Sequence, residues 1–171
     1  MELNPLDILV LLKLHVLKSE PWTQTSLAND ICVAQSQVNA SLKRAEAARL
    51  FSSTSKRISR QALAEFLIHG VKYAYPPYRG GLTRGIVTGY AAPPLHDLLV
   101  QPDTPPPVWP HPEGTQRGFE FSPLDKHVPD AARKDPALYE LLTLVDAIRD
   151  GRAREVSLAT RLLNERFGQA Q

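Results

Sequence analysis

TQTSLANDICVAQSQVNASLKRAEAARLFSSTSKRI, residues 23–58, holds two helical periods separated by a short break. Leu27, Ala28 and Ile31 fall on one face of a short helix. Thr23 or Thr25, ahead of that run, can accept from its first orphan N–H groups. Cys32-Val33-Ala34 interrupts the pattern. A second period then opens at Val38, Leu42 and Ala45, and Leu50 and Phe51 close it. Two short helices joined across a three-residue turn make a helix-turn-helix.

If Val38, Leu42 and Ala45 face a core, Gln35, Ser36, Gln37, Asn39, Ala40, Lys43 and Arg44 are left facing outward. Amides at Gln35, Gln37 and Asn39 suit base edges. Ser36 suits a phosphate, and Ala40 is small enough to approach a thymine methyl. Between Cys32 and Arg60 stand six basic residues (Lys43, Arg44, Arg49, Lys56, Arg57, Arg60) against one acid, Glu46. The whole chain carries only +2, so its positive charge is concentrated here, as a phosphate-binding surface requires. Double-stranded DNA is the partner this pattern implies.

SLANDI, then VAQSQVNASLKRAEAARLF, then a short polar tip and RIS, resemble the winged-helix DNA-binding domains of bacterial transcriptional regulators of the MarR-like type. The resemblance covers roughly the first 70 residues. It implies that the second helix of the pair, about residues 35–49, enters the major groove while a small β-hairpin touches the flanking backbone. Leu50-Phe51-Ser52 and Arg57-Ile58-Ser59 would be the hairpin strands and Ser53–Lys56 its tip. Ser55, Lys56 and Arg57 then join the candidate DNA contacts. The tip is shorter than in many relatives, and Arg49 stands where such domains often carry glycine.

Charge is uneven along the rest of the chain. Residues 1–60 hold eight basic and five acidic groups, whereas residues 119–171 hold eight and nine, so a nucleic-acid face belongs at the N-terminal end. The single cysteine, Cys32, excludes an intrachain disulfide, fits a reducing cytosol, and is expected as a small buried thiol rather than a redox switch. The five histidines have no metal-site spacing, and no metal or cofactor is expected. An acidic N-terminus before a short apolar run argues against a signal peptide or a bilayer span, so a cytoplasmic protein is expected.

Asn4-Pro5 reads as a helix start, and the helix should run to about Lys18. Its apolar residues make more than one stripe, so one side needs a cover. That cover is expected from the C-terminal part of the chain or, preferentially, from a second subunit in a homodimer. A further helix is expected from Arg60 to about Lys72. Thirteen of the 15 prolines then fall between Pro76 and Pro136, which excludes long helices and central strands there. Interleaved aromatics argue for an ordered, irregular arm with short strands at 85–90 and 118–121, and for Trp109 as a packing anchor. Glycines 80, 81, 85 and 89 read as turn formers, with a phosphate cradle the less common alternative. Two helices end the chain: one from Asp135-Pro136 to Gly151 along Leu138, Leu141, Leu142, Val145 and Ile148, and one from Arg152 to about Phe167.

The expected fold is mainly α with a small β-wing. A winged helix-turn-helix spans residues 1–72, a proline- and aromatic-rich arm spans 73–135, and C-terminal helices for packing or dimerisation span 136–171. No catalytic constellation is present, so an enzyme is not expected. The expected function is a sequence-specific, DNA-binding transcriptional regulator acting as a homodimer. The second reading is a protein-binding module, such as an antitoxin-like partner that also regulates its own synthesis.

Overall fold

Asn4 starts the first helix by two reciprocal bonds. Its Oδ1 accepts from the Leu6 N–H at 3.1 Å, and its own N–H donates to Asp7 Oδ2 at 2.9 Å. The computed structural model describes residues 1–168, in which eight α-helices and two small sheets form a mixed α/β fold. The last three residues of the expected C-terminal segment lie outside the described residues. The chain forms two compact units. The first comprises residues 1–63 and 124–139; the second comprises 64–123 and residues from 140 onward. The expected boundary at 72 therefore falls inside the second unit, and that at 135 inside the first.

In the first unit, α1 spans Pro5–Leu17, α2 Gln24–Ile31 and α3 Gln35–Ala47. Strands β1 (Phe51–Ser52) and β2 (Arg57–Ile58) form an antiparallel hairpin, and Ser59 N–H adds a rung onto the Leu50 carbonyl at 2.8 Å. Every residue of α1 from Leu6 to His15 is buried in this single chain. An uncovered strip on this helix therefore gives no ground for a second subunit. Thr23, not Thr25, caps α2, its Oγ1 accepting from the Ser26 N–H at 3.0 Å. Cys32 ends α2 in the left-handed region (φ 62°) and is exposed, a correction to the buried thiol expected from the sequence.

Burying Val38 and Leu42 contributes roughly 1.5–3 kcal/mol each, which fixes the rotation of α3 about its axis. The helix closes in a Schellman motif. Leu50 N–H donates to the Ala45 carbonyl and Arg49 N–H to that of Glu46, both at 2.9 Å. Arg49 occupies the left-handed position (φ 63°), so the chain turns as a glycine would without having one. A helix not foreseen from the sequence, α6 (Val128–Lys134), packs on α2, and Lys134 Nζ donates to the Asn29 carbonyl at 2.6 Å.

The helix that begins at Arg60 in the first unit ends at His69 in the second (α4). A separate turn, α5 (Val71–Ala74), follows Gly70. The proline-rich stretch is more regular than the expected arm: a strand contains the one expected at 118–121, and another overlaps the one expected at 85–90. It supplies β3 (Arg79–Val87), β4 (Pro107–Pro110) and β5 (Gln116–Phe121). β3 runs antiparallel to both partners and β4 parallel to β5, so the three strands close on one another. This closure explains the glycines. A Cβ on Gly85 would overlap the Trp109 carbonyl, and one on Gly118 would overlap that of Pro106. These residues allow backbones to meet; the 79–87 segment is a strand and neither a turn nor a phosphate cradle.

Trp109 is fully buried, as expected of an anchor, and its Nε1–H donates to Asp146 Oδ2 at 2.8 Å. Thr88 Oγ1 donates to the same oxygen at 2.6 Å and Arg149 Nη1 to Oδ1 at 2.8 Å. Burial raises the Asp146 carboxyl above its ordinary range, opposed by Arg149 and the other donors. Helix α7 (Pro136–Asp150) starts where Asp135 caps it and stops before Gly151, and α8 covers Ala153–Arg166, both close to expectation. No helix among the described residues is long and apolar enough to cross a membrane.

Candidate nucleic-acid interface

The outer face of α3 is set by what its inner face buries. With Val38, Ser41, Leu42 and Ala45 inside, Gln35, Ser36 and Lys43 stand exposed, and Asn39 and Ala40 are half-buried. Gln24, in the first turn of α2, ties this face together. Its Nε2 donates to Asn39 Oδ1 at 3.3 Å, and its Oε1 accepts from Gln35 Nε2 at 3.5 Å. Three amides thus lie in one row, each keeping donor and acceptor capacity to spare. Sequence reading missed Gln24. Its one signal is its place directly after the Thr23 cap, in the helix that precedes the turn.

Gln37 has a different task. Ala34 has no side chain with which to cap α3, and Gln37 Oε1 accepts the Ala34 N–H at 2.9 Å. Its carbonyl is therefore engaged at the helix start, and only its amino group remains to face outward. Arg44 also departs from the outward face expected of it. Its guanidinium lies on Asp7, which is fully buried, with Nη2–Oδ1 at 2.9 Å and Nε–Oδ2 at 3.0 Å. Hydrogen bonding to Asp7 raises the Arg44 pKa further above its ordinary value.

The hairpin is anchored to α3 by Glu46. Its Oε1 accepts from Ser53 Oγ at 2.7 Å and from the Ser53 N–H at 2.9 Å, and these bonds hold its carboxyl below the usual glutamate value. The one acid among the local bases thus fixes the angle between helix and hairpin. Trp22 backs the hairpin from the other side, its ring 6.3 Å from that of Phe51 and 5.9 Å beneath Lys56 Nζ. Ser55, Lys56 and Arg57 are exposed at the tip and along β2.

Between α3 and the hairpin runs an open groove of about 460 Å³, lined by Trp22, Thr23, Gln24, Asn39, Lys43 and Lys56 among others. The structure therefore brings Asn39, Lys43 and Lys56 together. Arg57 lies outside that groove and lines two neighbouring clefts. Among the described residues no group of three or more His, Cys, Asp or Glu side chains is placed to hold a metal ion. No protein-family model, curated protein or solved structure matches the chain.

Proposed function

We propose that the first unit is a winged helix-turn-helix of the MarR-like kind that binds double-stranded DNA, and that the protein is a sequence-specific transcriptional regulator. In this reading α3 lies in the major groove, the β1–β2 hairpin is the wing, and the homodimer sets two reading helices about one helical turn apart. The observation that carries the reading is the amide row Gln35–Gln24–Asn39, of which Gln24 and Asn39 line one open groove with Lys43 and Lys56. Amides there suit base edges, and lysines flanking them suit phosphates. The order of three helices followed by a hairpin supports the same assignment.

Fluorescence anisotropy with labelled duplex, followed by selection of bound sequences from a random pool, tests it. Affinity at low salt that falls steeply as salt rises, with a recurring selected site, is expected. A chain that leaves duplex unbound at low salt ends the reading.

One observation favours the second reading, a protein-binding module. The second unit carries large apolar side chains in the open, with Val100 at 92 % exposure, Leu98 at 51 % and Phe119 at 41 %. Val100 and Phe119 share one open groove of about 790 Å³. Apolar exposure of this kind marks association surfaces. It is also where the proposed homodimer would meet, since α1 offers no exposed strip. Sedimentation of wild type against Val100→Glu separates the two. A dimer that dissociates in the variant places self-association there; a monomer in both leaves the groove to a different protein.

A further inference from the structure

The first 63 residues hold eight Lys and Arg side chains. Two of them are taken up by acids: Arg44 on Asp7, and Lys13 on Asp135 at 2.7 Å with Asp30 at 3.9 Å. Of the remaining six, only Lys43 is on the outer face of α3, Arg49 follows the end of that helix, and four share one cleft. Lys18, Lys56, Arg57 and Arg60 line a single open cleft of about 580 Å³ between the end of α1, the hairpin and the start of α4. Among the described residues, no carboxylate lines this cleft, and none lies within ion-pair distance of those four cations. The peptide carbonyls at the end of α1 bring a partial negative charge, and the Lys18 N–H covers two of them, on Leu14 and His15 at 3.2 Å.

Four like charges converging on one opening repel one another and destabilise the fold unless an anion lies among them. A polyanion fits better than a small one, because the cleft is open and continues past its own edge. Trp22 and Lys56 line both this cleft and the groove beside α3, so a strand following that groove passes over them into the cleft. We propose that the cleft takes the sugar-phosphate backbone of duplex DNA flanking the bases that α3 reads, with Lys18 and Arg60 as its far contacts. This rests on the DNA-binding reading above. It moves the electrostatic centre of the interface from α3 to the far side of the hairpin.

The experiment measures how the affinity of the full chain for a mixed-sequence duplex of about 20 base pairs depends on salt. Each phosphate contact contributes about 0.9 to the slope of log affinity against log salt. The Lys18→Gln/Arg60→Gln double variant is expected to flatten the slope by about 2, and Lys43→Gln by about 1. All these side chains are exposed, so thermal melts should match wild type and show that folding is intact. If Lys43→Gln flattens the slope and the double variant leaves it unchanged, the cleft is not a backbone site, while the DNA reading stands. If wild type binds no duplex, the DNA reading fails and this assignment with it. Inorganic phosphate displacing the duplex at matched ionic strength would make the cleft a small-anion site and overturn the proposal.

Discussion

Arg44 on α3 folds its guanidinium over the carboxylate of Asp7 on α1, 37 residues earlier in the chain, with two contacts at 2.9 and 3.0 Å. Asp7 also accepts the N–H of Asn4, so one carboxylate both caps α1 and fixes α3 against it. Truncating Arg44 to Ala leaves a buried carboxylate with only that backbone partner. A loss of about 3 kcal/mol is expected, the lower end for a broken buried pair. Lys43→Ala, one residue away and exposed, should change stability by less than about 0.5 kcal/mol. Denaturant melts of the two variants check this. Equal stability losses would remove the distinction between a structural arginine and a solvent-facing lysine.

Arg49 stands in the left-handed region at the end of α3, inside a hydrogen-bond pattern that ordinarily selects glycine. A side chain there costs about 1–2 kcal/mol, while glycine adds unfolded-state entropy worth about 0.5–1 kcal/mol against folding. The balance favours Arg49→Gly by about 0.5–1 kcal/mol, seen as a raised melting temperature. A lowered one would show that the arginine side chain makes a contact worth more than the backbone strain.

Much of the first unit is legible because it is local. Val38, Leu42 and Ala45 repeat at helical spacing, Thr23 precedes a helix, and six residues of serine, threonine and base separate Leu50-Phe51 from Ile58 closely enough to demand a hairpin. Arg44 was not legible. Helical spacing puts it outward, and nothing in the spacing reveals an acid 37 residues away that draws it back. The second unit hides β4 for a related reason. Pro107 and Pro110 deter a strand assignment, yet they sit at the two ends of β4, and the strand between them is short. Gly85 looks like a turn former because the close strand approach that requires it is a long-range property. Within the candidate interface, Lys18 and Arg60 are visible in the sequence only as charge, since their shared cleft comes from the tertiary fold.

Glu46 gives the interface a pH dependence with a definite sign. Its folded-state value is lowered by the Ser53 hydroxyl and N–H, so the tether is complete above the ordinary 4.5 and is lost as pH falls through the lower folded value. The Ser53 amide resonance should therefore titrate with a midpoint below 4.5. In Glu46→Gln that titration should vanish, because no proton is taken up. A midpoint at or above 4.5 in the wild-type protein would mean that the hairpin is not held to α3 through this carboxylate.

Gln24 separates positioning from reading. It touches Asn39 and Gln35 through its two amide ends and belongs to α2, so under the DNA reading it holds the amides of α3 in place. Asn39 would itself meet a base, where a good bidentate pair contributes about 1–3 kcal/mol of discrimination. Asn39→Ala should then lose roughly 5- to 150-fold of the preference for the selected site over mixed-sequence duplex, with the salt slope unchanged. Gln24→Ala should lose less of it, because Asn39 survives and only its orientation is freed. In the double variant the two losses should not add, since there is nothing left for Gln24 to orient. Competition binding of the two single variants and the double variant against both duplexes measures all three. Additive losses would show that Gln24 contacts the DNA independently, and the amide row would then be two separate contacts rather than one oriented unit.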